Sequence, residues 1–115
     1  MTNTRAIEVL EDVTSKTLNG VYKGSFKVDS KRNVRMNIKN KGNVSIILQV
    51  EDAVKGTMIA TETVKPNSEK EITKPLDGGT YDYSIDGQGD VVPFQFRVVG
   101  LDNIPTPPTS SESSS

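Results

Sequence analysis

The chain contains no histidine, no cysteine and no tryptophan, so any chemistry must come from hydroxyls, lysines and carboxylates. Nucleophilic or acid–base catalysis is then left to Ser–Lys or carboxylate pairs, and neither occurs here in a recognisable motif. Asp82 and Asp86 could form a paired-carboxylate site. They lie, however, on the outward phase of an alternating segment, where acids sit because they are solvated. The expectation is a non-enzymatic protein with no catalytic residue.

Soft-metal sites are excluded for want of imidazole and thiol. A hard cation such as Ca²⁺, which needs roughly six to eight oxygens, would look to the loop Asp86-Gly87-Gln88-Gly89-Asp90. Asp86 and Asp90 flank flexible glycines there, with Asp82 as a neighbour. A plain hairpin connection explains the same residues, because Asp and Gly satisfy turn geometry. No metal and no cofactor is expected. Asn43-Val44-Ser45 matches the N-glycosylation tripeptide, but such short matches arise by chance, and this one begins at a turn that opens a strand.

Charge distribution is the positive signal. Residues 16–41 hold Lys16, Lys23, Lys27, Lys31, Arg32, Arg35, Lys39 and Lys41 against Asp29 alone, a net of +7 in a chain whose formal charge is −1. Residues 69–90 carry a net of −4. If residues 22–39 form a hairpin, Lys23, Lys27, Arg35 and Lys39 share its wet face, with Lys31 and Arg32 at its turn. Such a stripe could bind an anionic polymer, or meet the acidic end of another copy. Lysines that keep a sheet edge from aggregating are the simpler explanation.

The elements that must position these groups are strands. Tyr22, Phe26, Tyr81, Tyr83, Phe94 and Phe96, all six aromatic residues, fall on the apolar phase of an alternation running from about residue 20 to 99. Successive side chains of a strand point to opposite faces, so every ring is assigned to the core. None remains as a platform for a sugar or a single-stranded nucleic acid, which usually stack on exposed aromatics; no nucleic-acid partner is expected.

Val34, Met36 and Ile38 alternate with Arg35, Asn37 and Lys39. After a turn at Asn40-Lys41-Gly42-Asn43, where Gly42 can take positive φ, Val44, Ile46, Leu48 and Val50 alternate with Ser45, Ile47, Gln49 and Glu51. Three successive strands from Tyr22 to Val50 predict one antiparallel sheet with a wet face. Residues 57–64 have strand propensity without a clear phase. Glu69–Leu76 reads as a polar strand that Pro75 marks as an edge. Strands over 80–86 and 92–98 bring the number to about seven, at the spacing of a sandwich.

Residues 1–16 are ambiguous: Ile7, Leu10 and Val13 recur every three residues, as in a short helix, whereas Ile7 and Val9 alternate as in a strand. A loosely docked arm is expected. Residues 103–115 hold three prolines and end in SSESSS, the composition of a disordered tail or linker. The predicted organisation is an arm over 1–16, a single antiparallel β-sandwich over 17–102 and a tail over 103–115. About 85 residues suffice for one thin core. No apolar run approaches the ~18 residues of a membrane span, and no hydrophobic segment follows a basic start. The chain is thus cytosolic or an excised piece of a longer protein.

The stretches NVRMNIKNKGNVSIILQVED, with Gly42 at the turn, and KPLDGGTYDYSIDGQGD resemble the immunoglobulin-like or jelly-roll-like β-sandwich modules of bacterial surface and secreted proteins. The resemblance covers residues 17–102. It implies an extracellular or cell-surface location and a structural or adhesive role, in a surface assembly, through a protein partner or self-association. It assigns no functional residue. The chain departs from the pattern in having no inward Trp and no export signal.

Overall fold

The computed structural model describes residues 7–17 and 20–101. They form eight strands: β1 (Ile7–Lys16), β2 (Val21–Val28), β3 (Arg32–Asn40), β4 (Ile46–Asp52), β5 (Met58–Val64), β6 (Glu69–Leu76), β7 (Gly79–Asp86) and β8 (Pro93–Leu101). The first sheet has the order β1-β8-β3-β6 and the second β2-β7-β4-β5, with every neighbouring pair antiparallel. The all-β sandwich expected from the alternation is the observed fold.

The inner strands supply most of the core. β8 and β3 supply Phe94, Phe96, Val98, Val34, Met36 and Ile38 to the core; β7 and β4 face them with Tyr81, Tyr83, Ile85, Ile46, Leu48 and Val50. All twelve are buried. The aromatic residues meet across the sandwich, with the Tyr83 and Phe96 centroids 4.6 Å apart and those of Tyr22 and Phe94 5.2 Å apart. These lie in the favourable range for ring pairs. Gly24, opposite Tyr83 in the β2–β7 register, makes room for that ring: a Cβ there would lie 2.5 Å from the Tyr83 hydroxyl. Of the predicted core, Tyr22 in β2 and Val44 just before β4 are only half-buried, both packed against the cluster.

Strand pairing departs from the expected sheet. β2 and β3 are not a hairpin, and β2, β3 and β4 do not share a sheet; the chain crosses between sheets after β2 and again after β3. The sheets of a sandwich lie about 10 Å apart, a gap that a few residues at ~3.3 Å each can span. Strict alternation therefore suits a strand that changes sheets as well as one that turns back beside its predecessor. Among the described strands, β4–β5 is the only consecutive pair that are neighbours.

Residues 7–16 are an edge strand paired with β8 and not a loosely docked arm. A bulge between Val9 and Glu11 explains the misleading period of three. The extra residue shifts the phase, so Leu10 and Val13 both pack against the core. Gly42 does not take positive φ. It is needed for space, since a Cβ would lie 2.7 Å from Val92 Cγ1. β6 is the expected polar edge, with Pro75 opposite Asn33. The proposed tail, 103–115, and residues 1–6 lie outside the described residues.

Ile7 pairs with Leu101 at one pole of the sandwich. The connections 29–31, 53–57 and 77–78 share that pole, and Thr17, Gly20, 41–45, 65–68 and 87–92 occupy the other. The second group is braced by hydrogen bonds. Thr17 Oγ1 donates to the Asp90 carbonyl (2.7 Å) and accepts from Val92 N (2.9 Å). Gln88 Nε2 donates to the Ser45 carbonyl (2.9 Å).

Candidate functional site

The pairing neutralises much of the charge segregation within one molecule. Basic β3 lies beside β6 with its Glu69 and Glu71, and basic β2 beside β7 with its Asp82 and Asp86. On the outer face of the first sheet both arginines are paired. Arg35 Nε lies 3.2 Å from Glu71 Oε2, Asn37 Nδ2 donates to Glu69 Oε2 at 3.0 Å, and Arg97 pairs with Asp12 at 3.9 Å. Lys39 is exposed, opposite Glu69 in the register. Arg32 is a clamp and not a turn-exposed cation: its Nη1 meets Glu8 Oε1 at 2.7 Å and its Nε donates to the Leu101 carbonyl at 3.2 Å. It ties β3 to both chain ends of the first sheet. Lys31 is exposed in the β2–β3 connection.

Lys23 and Lys27 are exposed on the opposite side of the molecule, on the outer face of the second sheet. The single stripe Lys23, Lys27, Arg35, Lys39 is therefore not formed. It required a β2–β3 hairpin, and the two strands belong to opposite sheets.

The outer face of the second sheet is organised differently from the first. Register places Lys23, Ser84 and Gln49 in one row across β2, β7 and β4, and Ser25, Asp82 and Glu51 in the next. These six residues line a shallow groove of about 400 Å³. None of their side chains makes a hydrogen bond or ion pair with a described residue. Asp82 and Glu51 stand directly opposite each other, a juxtaposition of like charges that disfavours the sheet. The sequence marks each of these groups as outward through its phase. Their convergence depends on register, so Gln49, Glu51, Ser25 and Ser84 escape notice as a group.

Between the sheets, Tyr83 Oη donates to Glu11 Oε2 at 2.5 Å, joining edge strand β1 to the second sheet. Burial, then this carboxylate, pushes the Tyr83 phenol well above the usual tyrosine range. Burial and the Asp52 charge raise Tyr81 as well. A raised folded-state value keeps the native state protonated while the unfolded tyrosine ionises near pH ~10. The native contribution is thus complete below that pH and is lost above it. The urea midpoint should fall more steeply above pH ~10 in wild type than in Tyr83→Phe; identical slopes would show that the phenol carries no such linkage.

The proposed cation loop is built as a turn. Asp86 Oδ1 accepts from Gln88 N at 2.7 Å, Asp90 N donates to the Gly87 carbonyl at 3.1 Å, and Gln88 has φ 56°. Among the described residues no three acidic side chains converge in a way that could hold a metal ion. Asn43 is exposed in the β3–β4 connection. No described helix is long and apolar enough to cross a membrane.

No protein-family model matches the sequence, and no curated protein does. Among solved structures, the fold is similar to the pre-peptidase C-terminal domain of a collagenase from Bacillus anthracis. The TM-score is 0.61 at 14% identity, over 84% of this chain and 88% of that one. A structure of PirA is similar with a TM-score of 0.52 at 12% identity, over 89% of this chain and 96% of that one. At such identities the likeness is one of fold.

Proposed function

We propose that the protein is a non-enzymatic structural or protein-interaction module of a bacterial surface or secreted protein. The observation that carries this reading is the placement of the sandwich's ends. Ile7 and Leu101 are partners at one pole, so neighbouring segments attach there, at the far end from the braced loops. Binding residues are commonly presented on loops held by a rigid scaffold. The likeness of fold to a domain of a bacterial collagenase is compatible with such a module. The core absorbs the aromatic residues, and the remaining polar groups suit contact with another macromolecule better than enclosure of a small substrate.

The test is labelling of intact cells that produce the full-length protein with a membrane-impermeant, amine-reactive biotin. Exposed lysines such as Lys23, Lys27 and Lys39 should be labelled before lysis, or the protein recovered from the medium. Protection of all of them until the cells are broken would overturn the assigned location.

A further inference from the structure

We infer that two lysines of β6 hold the open edge of β5 closed against strand addition, and that the strand they keep out is β5 of a second copy of this chain. This closure is a property of the fold and holds wherever the protein resides.

Among the described strands β5 is an edge of the second sheet, as β6 is of the first. The other edges carry their own protection. β1 has Glu8, Glu11, Asp12 and Lys16, β2 has Lys23 and Lys27, and β6 has Lys70, Lys74 and Pro75, residue types that discourage edge-to-edge pairing. β5, by contrast, has Glu62 as its one charged residue and no proline. Its Ile, Thr and Val residues favour strand pairing. Asp52 N donates to the Thr57 carbonyl and Ala53 N to the Thr80 carbonyl, so even-numbered residues of β4 bond to β5 and odd-numbered ones to β7. Ala60, Glu62 and Val64, opposite Val50, Leu48 and Ile46, turn their backbone groups to β4. Thr61 and Thr63 turn theirs to the open edge.

The cap comes from the facing sheet. Lys70 and Lys74 stand on the core-facing phase of β6, opposite buried Ile38 and Val34 and on either side of Ile72, which packs against the core. Solvation alone favours outward positions for lysine; these two reach across the side of the sandwich to β5. Lys74 Nζ donates to the Ile59 carbonyl at 2.7 Å, and Lys70 Nζ lies 3.5 Å from Glu62 Oε1. Ile59 is the extra residue of the β4–β5 bulge, between Met58 opposite Glu51 and Ala60 opposite Val50. Its carbonyl is an acceptor of the kind an added strand would use, and Lys74 occupies it.

β5 of a second copy fits this edge because the contact is isologous. A two-fold axis perpendicular to the sheet at Thr61 sets Thr61 against itself and Ile59 against Thr63 of the other copy. Edge-facing backbone groups then meet edge-facing groups. Each Glu62 falls beside Ala60 of the other copy, so no like charges stand opposite within the new pair. The junction would, however, strip Lys74 from its carbonyl and gather Lys70 and Lys74 of both copies.

The experiment is sedimentation velocity on wild type and on Lys70→Met/Lys74→Met, which keeps long apolar side chains and removes both ammonium groups. Wild type should remain monomeric where the variant forms dimer, an association tightened about tenfold or more, the scale of one charged hydrogen bond. Adding Thr61→Lys to that variant should return it to monomer, because the new charge faces its own copy across the axis. Urea midpoints report whether each variant is folded; if the double variant is not, Lys74→Gln alone carries the test by the same criteria. A folded variant as monomeric as wild type overturns the inference and shows that the lysines only close the side of the sandwich. So does a dimer that persists with Thr61→Lys, or a wild type that dimerises as readily as the variant.

Discussion

Truncating Phe96 to alanine is expected to cost about 3–5 kcal/mol of folding stability, the range for removing a fully buried ring. Phe96 has no exposure and sits in β8, which pairs with β1 on one side and β3 on the other. Its ring lies against Tyr83 of the opposite sheet, so the cavity would open between the layers at a point where two strand pairs and one inter-sheet contact meet. Small domains hold only about 5–15 kcal/mol in total, so the variant should be close to unfolding at ordinary temperature. Urea denaturation monitored by circular dichroism gives the measurement. A loss below about 1 kcal/mol, the scale of a tolerated volume-conserving change, would mean that the ring is not part of the core.

Asn40 should give the second large effect, although it is polar. Its side chain is buried and makes three hydrogen bonds. Nδ2 donates to the carbonyls of Val44 (2.8 Å) and Val64 (3.0 Å), and Oδ1 accepts from Gly42 N (2.9 Å). It thereby ties the end of β3, in the first sheet, to the β3–β4 connection and the end of β5, in the second. Asn40→Ala is expected to cost about 2–3 kcal/mol, since each buried group left without a partner costs roughly 1–3 kcal/mol before relaxation.

Asn40→Asp is nearly isosteric but cannot donate when ionised, so two carbonyls would face a carboxylate. Burial and those carbonyls raise the folded-state value of that carboxyl above the unfolded one near 3.9. The deficit relative to wild type should then grow as pH rises from about 4 to 7. Urea midpoints of both proteins at the two pH values test this. An Asp variant as stable as wild type at pH 7 would show that the three bonds contribute nothing.

Residue phase was legible because it is local. Alternation follows from the geometry of a single strand, and it assigned Phe94, Phe96 and Val98 inward, Lys23, Lys27, Gln49, Glu51 and Asp82 outward, and Glu69–Leu76 to an edge through Pro75. The all-β class and the burial of the aromatic core follow from that pattern alone. Its one failure of period, Leu10 and Val13 at helical spacing, comes from a bulge that exists only because β1 lies along β8. Bulges depend on the partner strand, which the segment itself does not encode.

Partner choice was decided by the tertiary structure. A strand with one apolar face can pair with its neighbour in sequence or cross a gap of about 10 Å to the other sheet and present the same face to the same core. Nothing in the period of β2, β3 and β4 distinguishes the two. That decision splits Lys23 and Lys27 from Arg35 and Lys39, brings Glu71 to Arg35, and gathers Lys23, Ser25, Gln49, Glu51, Asp82 and Ser84 into one groove. Residue type and phase were local properties of the sequence. Which of these groups meet depended on long-range register, set by how the two halves of the core match across the sandwich.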